Sequence, residues 1–252
     1  MASLTLVRHA TLQLDYGGMR LLVDPMLSPR ETLDPAAQSG NLLRNPRVEL
    51  PVGIDALLDF EECLLTHAHR DHLDAVALEH LPRDRPVLCQ PEDQAKLTAA
   101  GFQAVVPVAE AVQRGSLEIR RVRGEHGRGE MIAKMGASSG FVLKHPAEPT
   151  LYLAGDTVWC PSLQAALRTH RPEAIVVNAG AAQFSQGGPV TLDAEGVIAV
   201  AREAMLAQVV VVHMEAWNHC PLTRAELVER LEETGHSGHV RVPADGETVD
   251  LA

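Results

Sequence analysis

Aromatic side chains are scarce in this chain. Two Trp, two Tyr and four Phe make up 3% of its 252 residues, so its core must rest on Leu, Val, Ile and Ala. Hydrophobic residues nonetheless reach 46%, an ordinary share for a globular protein. Cysteine is also sparse. Cys63, Cys89, Cys160 and Cys220 stand far apart with no C-x-x-C pair, which argues against a disulfide framework or a thiolate zinc knot. Basic charge is in deficit: 22 Lys and Arg against 33 Asp and Glu leave a net charge of −11. Sequence-independent binding of nucleic acid draws on Lys and Arg contacts to phosphate, so no nucleic-acid partner is expected. No apolar run approaches the ~20 residues that span a bilayer. Nor does the amino terminus pair a basic region with a long apolar stretch, as a signal peptide would. A cytoplasmic protein with no membrane partner is the expectation.

What the chain does have is clustered histidine. Four metal-ligand side chains fall within six residues, His67-Ala-His69-Arg-Asp71-His72, directly after the apolar run Glu62-Cys-Leu-Leu-Thr66. Neutral imidazole and carboxylate are the ligands that Zn²⁺ and similar ions favour at neutral pH. A strand ending in a tight turn can aim several of them at one point.

The rest of the chain alternates short strands with helices. Leu4–Val7, Thr11–Leu14 and Met19–Val23 read as strands, the last two joined by a turn at Tyr16-Gly17-Gly18. Residues 28–53, rich in Pro and Asn, read as a long surface loop, a class that is more often functional or mobile than structural. Strands follow at Glu62–Thr66, Pro86–Gln90, Val105–Val108 and Leu117–Val122, with helical spacing after Leu73 and after Pro91. The second half repeats the theme, with strands at Gly140–Lys144, Leu151–Ala154, Ala174–Asn178 and Val209–Val212. Helices are expected at Ser162–His170, Asp193–Leu206 and Thr223–Glu233, the last opened by a Thr223/Glu226 capping box. Strands in each half with helices between them suggest two similar layers of sheet covered by helices.

A strand-end residue is the natural ligand in such a fold. Three further candidates directly follow apolar runs: His126 after Leu117–Val122, Asp156 after Leu151-Tyr-Leu-Ala-Gly, and His213 after Gln208-Val-Val-Val-Val. With His67, His69, Asp71 and His72 they make seven ligands, five His and two Asp. A closed structural zinc needs only four. Seven suits two ions that share a bridging carboxylate and a bridging hydroxide.

These residues carry a resemblance. Arg8-His9-Ala10-Thr11, Leu22-Val-Asp24-Pro25, Thr66-His-Ala-His-Arg-Asp-His-Leu-Asp74, Gly124-Glu-His-Gly127, Ala154-Gly-Asp-Thr157 and the strand ending at His213 resemble the metallo-β-lactamase-fold hydrolases. Within that superfamily the chain looks most like the branch of ascorbate-phosphate lactonase and N-acyl-phosphatidylethanolamine phospholipase D. The resemblance covers nearly the whole chain and implies an α+β fold, the four-layer αβ/βα sandwich, as one hydrolase domain over residues 1–252. It also implies a metal site of His67, His69 and His126, a second of Asp71, His72 and His213, Asp156 as the bridge, and Asp24 orienting a ligand. The ions expected are two divalent metals, zinc first and manganese as the alternative. A metal-bridging hydroxide would then attack a small ester, lactone or phosphodiester.

Asp71 and His219 are the candidate catalytic residues. Asp71 would orient the hydroxide as well as ligate, and His219 would serve as proton donor to the leaving group. His9 and Asn178 are pocket candidates. The alternative reading is a mononuclear-iron oxidoreductase of the sulfur dioxygenase type on the same scaffold. A small-molecule substrate is expected, and a homo-oligomer is compatible with the sequence. Specificity should lie in the 28–53 loop, the Met131–Gly136 stretch and the Ala179–Pro189 loop, while Lys134 and Arg128 are expected on the surface, as is the cluster Arg120, Arg121 and Arg123.

Overall fold

Alternation along the strands decides the architecture. In Ala174–Asn178, Ala174 and Val176 join one apolar cluster while Ile175 and Val177 join another. In Gln208–Val212, Val210 and Val212 divide from Val209 and Val211 in the same way. Successive side chains of a strand point to opposite faces, so each sheet is buried on both sides.

The computed structural model describes residues 1–251. Six strands of one sheet come from the first half of the chain: β1 (Ser3–Arg8), β2 (Thr11–Tyr16), β3 (Met19–Val23), β4 (Glu62–Leu65), β5 (Val87–Cys89) and β6 (Val105–Pro107). The second sheet holds β7 (Ala111–Arg114), β8 (Leu117–Arg123), β9 (Ser139–Lys144), β10 (Leu151–Leu153), β11 (Ala174–Asn178), β12 (Gln208–Val212) and β13 (Val240–Arg241). The last strand, β14 (Thr248–Asp250), returns to the first sheet and pairs with β1. The orders are β14-β1-β2-β3-β4-β5-β6 and β7-β8-β9-β10-β11-β12-β13. In those orders each sheet has three antiparallel ladders followed by three parallel ones. The two halves therefore repeat in topology, with no matching repeat of sequence.

Leu6, Leu14, Leu21 and Leu64 of the first sheet meet Ile119, Phe141, Leu153 and Val176 of the second in a shared core. Helices α1 (Ile54–Leu57), α2 (Ala75–His80) and α3 (Gln94–Ala99) cover the outer face of the first sheet through Leu57, Ala77 and Leu97. A short helix, α4 (Glu130–Met135), follows β8. The outer face of the second sheet is covered by α5 (Pro161–His170), α6 (Ala194–Glu203) and α7 (Arg224–Glu233), through residues such as Leu163, Val197 and Leu227. The result is the expected αβ/βα sandwich. No described helix is long and apolar enough to cross a membrane.

Strand direction places the functional edge. Two antiparallel steps make β1 parallel to β3, and β3 is parallel to β4. By the same arithmetic β8, β10, β11 and β12 all run one way. The carboxyl ends of these strands gather on one edge of the sandwich. Ligands lie beyond such strand ends in open α/β sheets.

Some elements differ from expectation. The Met131–Gly136 stretch is largely the helix α4, bounded by Gly129 and Gly136, both at positive φ. β7, β13 and β14 lie outside the expected strands, being short segments whose pairing depends on the sheet around them. The helix expected to reach Leu206 stops at Glu203, and Met205 and Leu206 are exposed. The Thr223/Glu226 capping box is present on α7.

Tyr16 ties the two sheets together. Its hydroxyl, on β2, lies 3.0 Å from the carbonyl of Leu143 on β9 and 2.8 Å from that of Pro149. Tyr16→Phe leaves buried carbonyls without that donor and is expected to cost about 1–2 kcal/mol. Phe141→Ala, which empties part of the shared core, should cost about 3–5 kcal/mol. Urea unfolding measures both, and an unchanged midpoint for Tyr16→Phe would show that the hydroxyl does not brace the sheets.

Candidate metal centre

The chain leaves β4 through Thr66 into a tight turn. The N–H groups of His72 and Leu73 both donate to the carbonyl of His69, at 3.0 and 2.8 Å. Asp93 Oδ2 accepts from the Ala68 N–H at 3.0 Å, and the Lys96 ammonium donates to the Ala68 carbonyl. Held on both sides, the turn points four side chains toward the second sheet. Asp74, closing the motif, caps α2 through the Ala77 N–H and also accepts from the Ser28 N–H at 2.7 Å.

All seven sequence-predicted ligands converge here. His67, His69 and His126 form one group that could hold a metal ion, with His67 Nε2 2.9 Å from His69 Nδ1. Asp71, His72 and His213 form a second, which His9 joins. Asp156 stands between the groups. Its Oδ2 lies 3.5 Å from His126 Nε2, 3.9 Å from His67 Nε2 and 3.3 Å from His72 Nε2, while Oδ1 lies 3.5 Å from His213 Nε2. Asn178, at the end of β11, donates to Asp156 Oδ1 at 2.7 Å.

A further layer of contacts aims these groups. Asp24 Oδ2 accepts from His72 Nδ1 at 2.8 Å and from the Thr66 hydroxyl at 2.7 Å, and its Oδ1 accepts from the Thr66 N–H at 2.8 Å. The Val190 carbonyl, 2.8 Å away, takes the Nδ1 proton of His126. Partners of this kind fix which ring nitrogen faces inward.

Backbone strain is concentrated at the same edge. His9, Asp24 and His213 each end a strand with positive φ, at 59°, 44° and 64°. Non-glycine residues there cost of order 1–3 kcal/mol each and persist only where surrounding structure enforces them. Gly155, at φ 63°, makes the same turn before Asp156, where an added Cβ would sit 2.4 Å from the Ser139 carbonyl.

The donor set fits a cation. Asp24, Asp71 and Asp156 are buried, and among the described residues every ion-pair partner they have is a histidine. Burial opposes charge on His72, but Asp156, Asp24 and Asp71 outweigh it and lift that imidazole to about 10. Burial likewise opposes charge on His213, and Asp156 with Asp71 overcomes it, raising this group well above the usual histidine range. Asp71 and Asp156, which burial alone would push up, are held well below the carboxylate range by the surrounding imidazoles. His67 and His126, by contrast, are lowered chiefly by burial. Such a cluster calls for positive charge at its centre, and a metal ion supplies it by displacing protons from the rings. The Nε2 atoms of His72 and His213 are buried and make no hydrogen bond, as befits atoms aimed at an ion. Nitrogen and carboxylate donors of this kind suit zinc, manganese or iron.

His9 and Asn178, pocket candidates from the sequence, do not line the cavity over the centre; His9 stands among the ligands instead. It is fully buried, its Nε2 is 3.4 Å from Asp71 Oδ2, and its ring lies 3.7 Å from that of His213. Burial, with His213 next, pushes its pKa down to about 3. Its carbonyl accepts from the His213 N–H at 2.8 Å, a direct tie between the sheets. His219 is buried at the cavity wall, its ring 5.5 Å from Phe184. Cys220 Sγ lies 3.9 Å from Nδ1 of both His213 and His219.

A cavity of about 350 Å³ opens over the centre, lined by His69, Asp71, His126, Asp156 and His219 on its polar side. Pro35, Ala36 and Ala37 from the 28–53 loop, Met135, Phe184 and Trp217 form its apolar side. Each of the three segments expected to govern specificity thus reaches it. Arg70, from the metal-binding turn, also lines it, a placement that sequence reasoning missed. Arg128 and Lys134 do not line it: Arg128 donates to the Trp159 carbonyl and Lys134 lies 3.4 Å from Gln38 Oε1. Arg120 and Arg121 pair with Glu118 and Glu92.

A sandwich of this kind, delivering imidazole and carboxylate from parallel strand ends to one cavity, has the metallo-β-lactamase fold, and the chain is a metal-dependent hydrolase. Residues 19–214 match the Beta-lactamase superfamily domain, and the chain belongs to that family. It is 38% identical over 250 residues to the UPF0173 protein YddR of Bacillus subtilis (strain 168), covering 98% of each chain. Among solved structures it is similar to an isothiocyanate hydrolase from Delia radicum gut bacteria, at 38% identity and a TM-score of 0.96 over 99% of each chain. A possible metal-dependent hydrolase from Veillonella parvula DSM 2008 matches at 30% identity and a TM-score of 0.97, covering 100% of both chains.

Asp24→Asn tests the orienting layer. Asn tolerates positive φ but presents an amide where a carboxylate oxygen accepts from His72. Metal affinity should fall about 10–100-fold, as for other orienting partners of a ligating His. Metal titration followed by elemental analysis measures the change, and unaltered affinity would remove Asp24 from the site.

Proposed function

We propose that the chain is a dinuclear-metal hydrolase that adds water to a small, apolar, carbon-centred electrophile, with isothiocyanates the best-fitting class. The carrying observation is Asp156, whose two oxygens face both ligand groups. His67, His69 and His126 would hold one ion, and Asp71, His72 and His213 the other, zinc or manganese. When bound, such ions would lower the pKa of a coordinated water and polarise the bond under attack.

The cavity supports an apolar substrate. Among the described residues Arg70 is its one Lys or Arg, and that guanidinium is engaged: Nη2 donates to the carbonyls of Asp34 at 2.7 Å and Pro35 at 2.8 Å, and the group lies 5.5 Å from the Trp217 ring centre. A phosphodiester would find no dedicated cation there. A neutral head over the metal centre and an alkyl or aryl tail against Phe184, Met135 and Trp217 match the lining. Similarity to a protein named isothiocyanate hydrolase points the same way, and favours hydrolysis over iron-dependent oxidation.

For R–N=C=S the chemistry is the addition of one water. A C–O bond forms at the central carbon and nitrogen takes a proton, giving a thiocarbamate. The C–N bond then breaks with a second proton transfer to nitrogen, releasing R–NH₂ and COS. Asp71, beside the centre, would orient the attacking oxygen. His219, on the cavity wall, would deliver the proton to nitrogen. Ligand groups from both halves of the chain support a single hydrolase domain and a small-molecule substrate.

Elemental analysis is expected to find two ions per chain. Asp156→Ala should lose metal and bring amine release from phenethyl isothiocyanate to background; undiminished hydrolysis by that variant would sink the proposal. His219→Ala should lower kcat by about 10²–10⁴-fold. The loss should shrink for aryl isothiocyanates, whose amines are weaker bases and leave more readily. A uniform loss across leaving groups would relieve His219 of the proton-donor role.

A further inference from the structure

The 34–45 segment lends Pro35, Ala36 and Ala37 to the cavity lining, and one side chain fastens much of it. Asn218 lies between Trp217 and His219, both of which line the cavity. Its Oδ1 accepts from the Ala36 N–H and from Asn45 Nδ2, each at 2.9 Å. Its Nδ2 donates to Ser39 Oγ at 2.7 Å and to Asn41 Oδ1 at 2.9 Å. The backbone joins in: the Asn218 N–H donates to Asn45 Oδ1 at 2.8 Å, and its carbonyl accepts from Asn41 Nδ2 at 2.8 Å. The amide thus satisfies both ends of its hydrogen-bonding capacity on one loop, more than 170 residues away in sequence.

We infer that Asn218 is a positioning residue that sets the height of the cavity roof, and with it the length of apolar substituent the enzyme accepts. This rests on the hydrolase reading given above and deepens it. Pro35, Ala36 and Ala37 form the roof, and Ala36 is the residue whose N–H the amide grips. The segment has little apolar anchorage of its own, since Leu42 and Leu43 are exposed. Other ties act on the segment as well. Arg70 holds the carbonyls of Asp34 and Pro35, and Ser185 donates through N–H and hydroxyl to the Gln38 carbonyl. The Asn45 backbone pairs with Leu33 at 2.7 and 2.9 Å, and Arg44 pairs with Asp34 at 2.8 Å, but none of these ties reaches residues 39–43. A buried side chain between two cavity-wall residues, bonded to Ala36 of the roof and to Ser39, Asn41 and Asn45 of the loop that carries it, couples the roof to the rest of the wall.

A rigid roof discriminates by length. Each methylene that fits gains about 0.8 kcal/mol of apolar burial, about fourfold in kcat/KM, until the tail meets the roof and the gain reverses. Methyl, propyl, pentyl and heptyl isothiocyanates should show this rise and fall in the wild-type enzyme. Asn218→Ala should flatten the profile to under twofold per methylene and raise KM at least tenfold for the best substrate, with two metals per chain retained. Asn218→Asp keeps the acceptor for Ala36 and Asn45 but loses the donor to Ser39 and Asn41, so its profile should fall between the two. Hydrogen exchange at residues 34–45 should quicken in the same order.

A wild-type length profile in Asn218→Ala, despite quickened exchange, would overturn the inference, as would loss of metal as the variant's main defect. Should Asn218→Ala not fold, Asn218→Asp decides in its place: an unshifted profile overturns the inference and an intermediate one supports it. A wild-type protein that turns over no isothiocyanate would sink the substrate class alone. The roof is then judged by binding of the matching primary amines, followed through Trp217 fluorescence. A length optimum that Asn218→Ala abolishes supports the inference, and one it leaves in place overturns it.

Discussion

The centre of this molecule is an electrostatic debt. Three carboxylates, Asp24, Asp71 and Asp156, are buried with only imidazoles as ion-pair partners among the described residues. Buried charge of one sign is tolerable only when paired or bound to a cation. Here no Lys or Arg is supplied, and the rings of His72 and His213 take up the imbalance by binding protons more tightly than histidine normally does. A metal ion resolves the same imbalance with more charge in less space. Donor choice, burial and strained strand ends all follow from that requirement.

Meeting it depends on topology. Side chains from widely separated places in the sequence meet because β1, β3 and β4 of one sheet, and β8, β10, β11 and β12 of the other, end on a common edge. The strain at His9, Asp24 and His213 is the local consequence: a strand that simply continued would carry its terminal side chain past the centre. Left-handed turns at these positions bend the chain sharply and leave the side chain facing inward. Stability lost in the backbone is recovered through hydrogen bonds such as His213 N–H to the His9 carbonyl, which also joins the sheets.

Much of this is legible in the chain, for a physical reason. Ligands that directly follow an apolar run are tied to strand ends, and strand ends are where such a fold collects them. His67 to His72, His126, Asp156 and His213 all carry that local signature. So do the strands with period-two burial and the capped helix α7. His9 carries the signature weakly, after a six-residue strand, but its place against Asp71 and His213 is a fact of sheet packing. Arg70 and Asn218 carry none. Each sits in a turn whose meaning comes from a loop far off in sequence, and no local pattern records that contact. The strands β7, β13 and β14 escape for the same reason, since two to four residues hold a strand only when a neighbour is already in place.

The division between legible and illegible parts follows the division of labour in the site. Chemistry demands donors of fixed type at fixed strand ends, and a substitution there leaves a buried charge unpaired. The apolar wall of the cavity is supplied instead by the 28–53 loop, α4, the 179–189 segment and the residues after His213, through side chains such as Ala36, Met135, Phe184 and Trp217. These surfaces are apolar, so exchanging one for another changes shape by a methylene or a ring without stranding a charge. The fold can therefore keep its metal chemistry constant while the walls vary. What it cannot vary freely is the fastening of wall to wall. A loop of that length joins neither sheet; Leu33 and Asn45 pair across its base, and the Asn218 amide, with acceptor and donor both committed, ties its middle to the cavity wall.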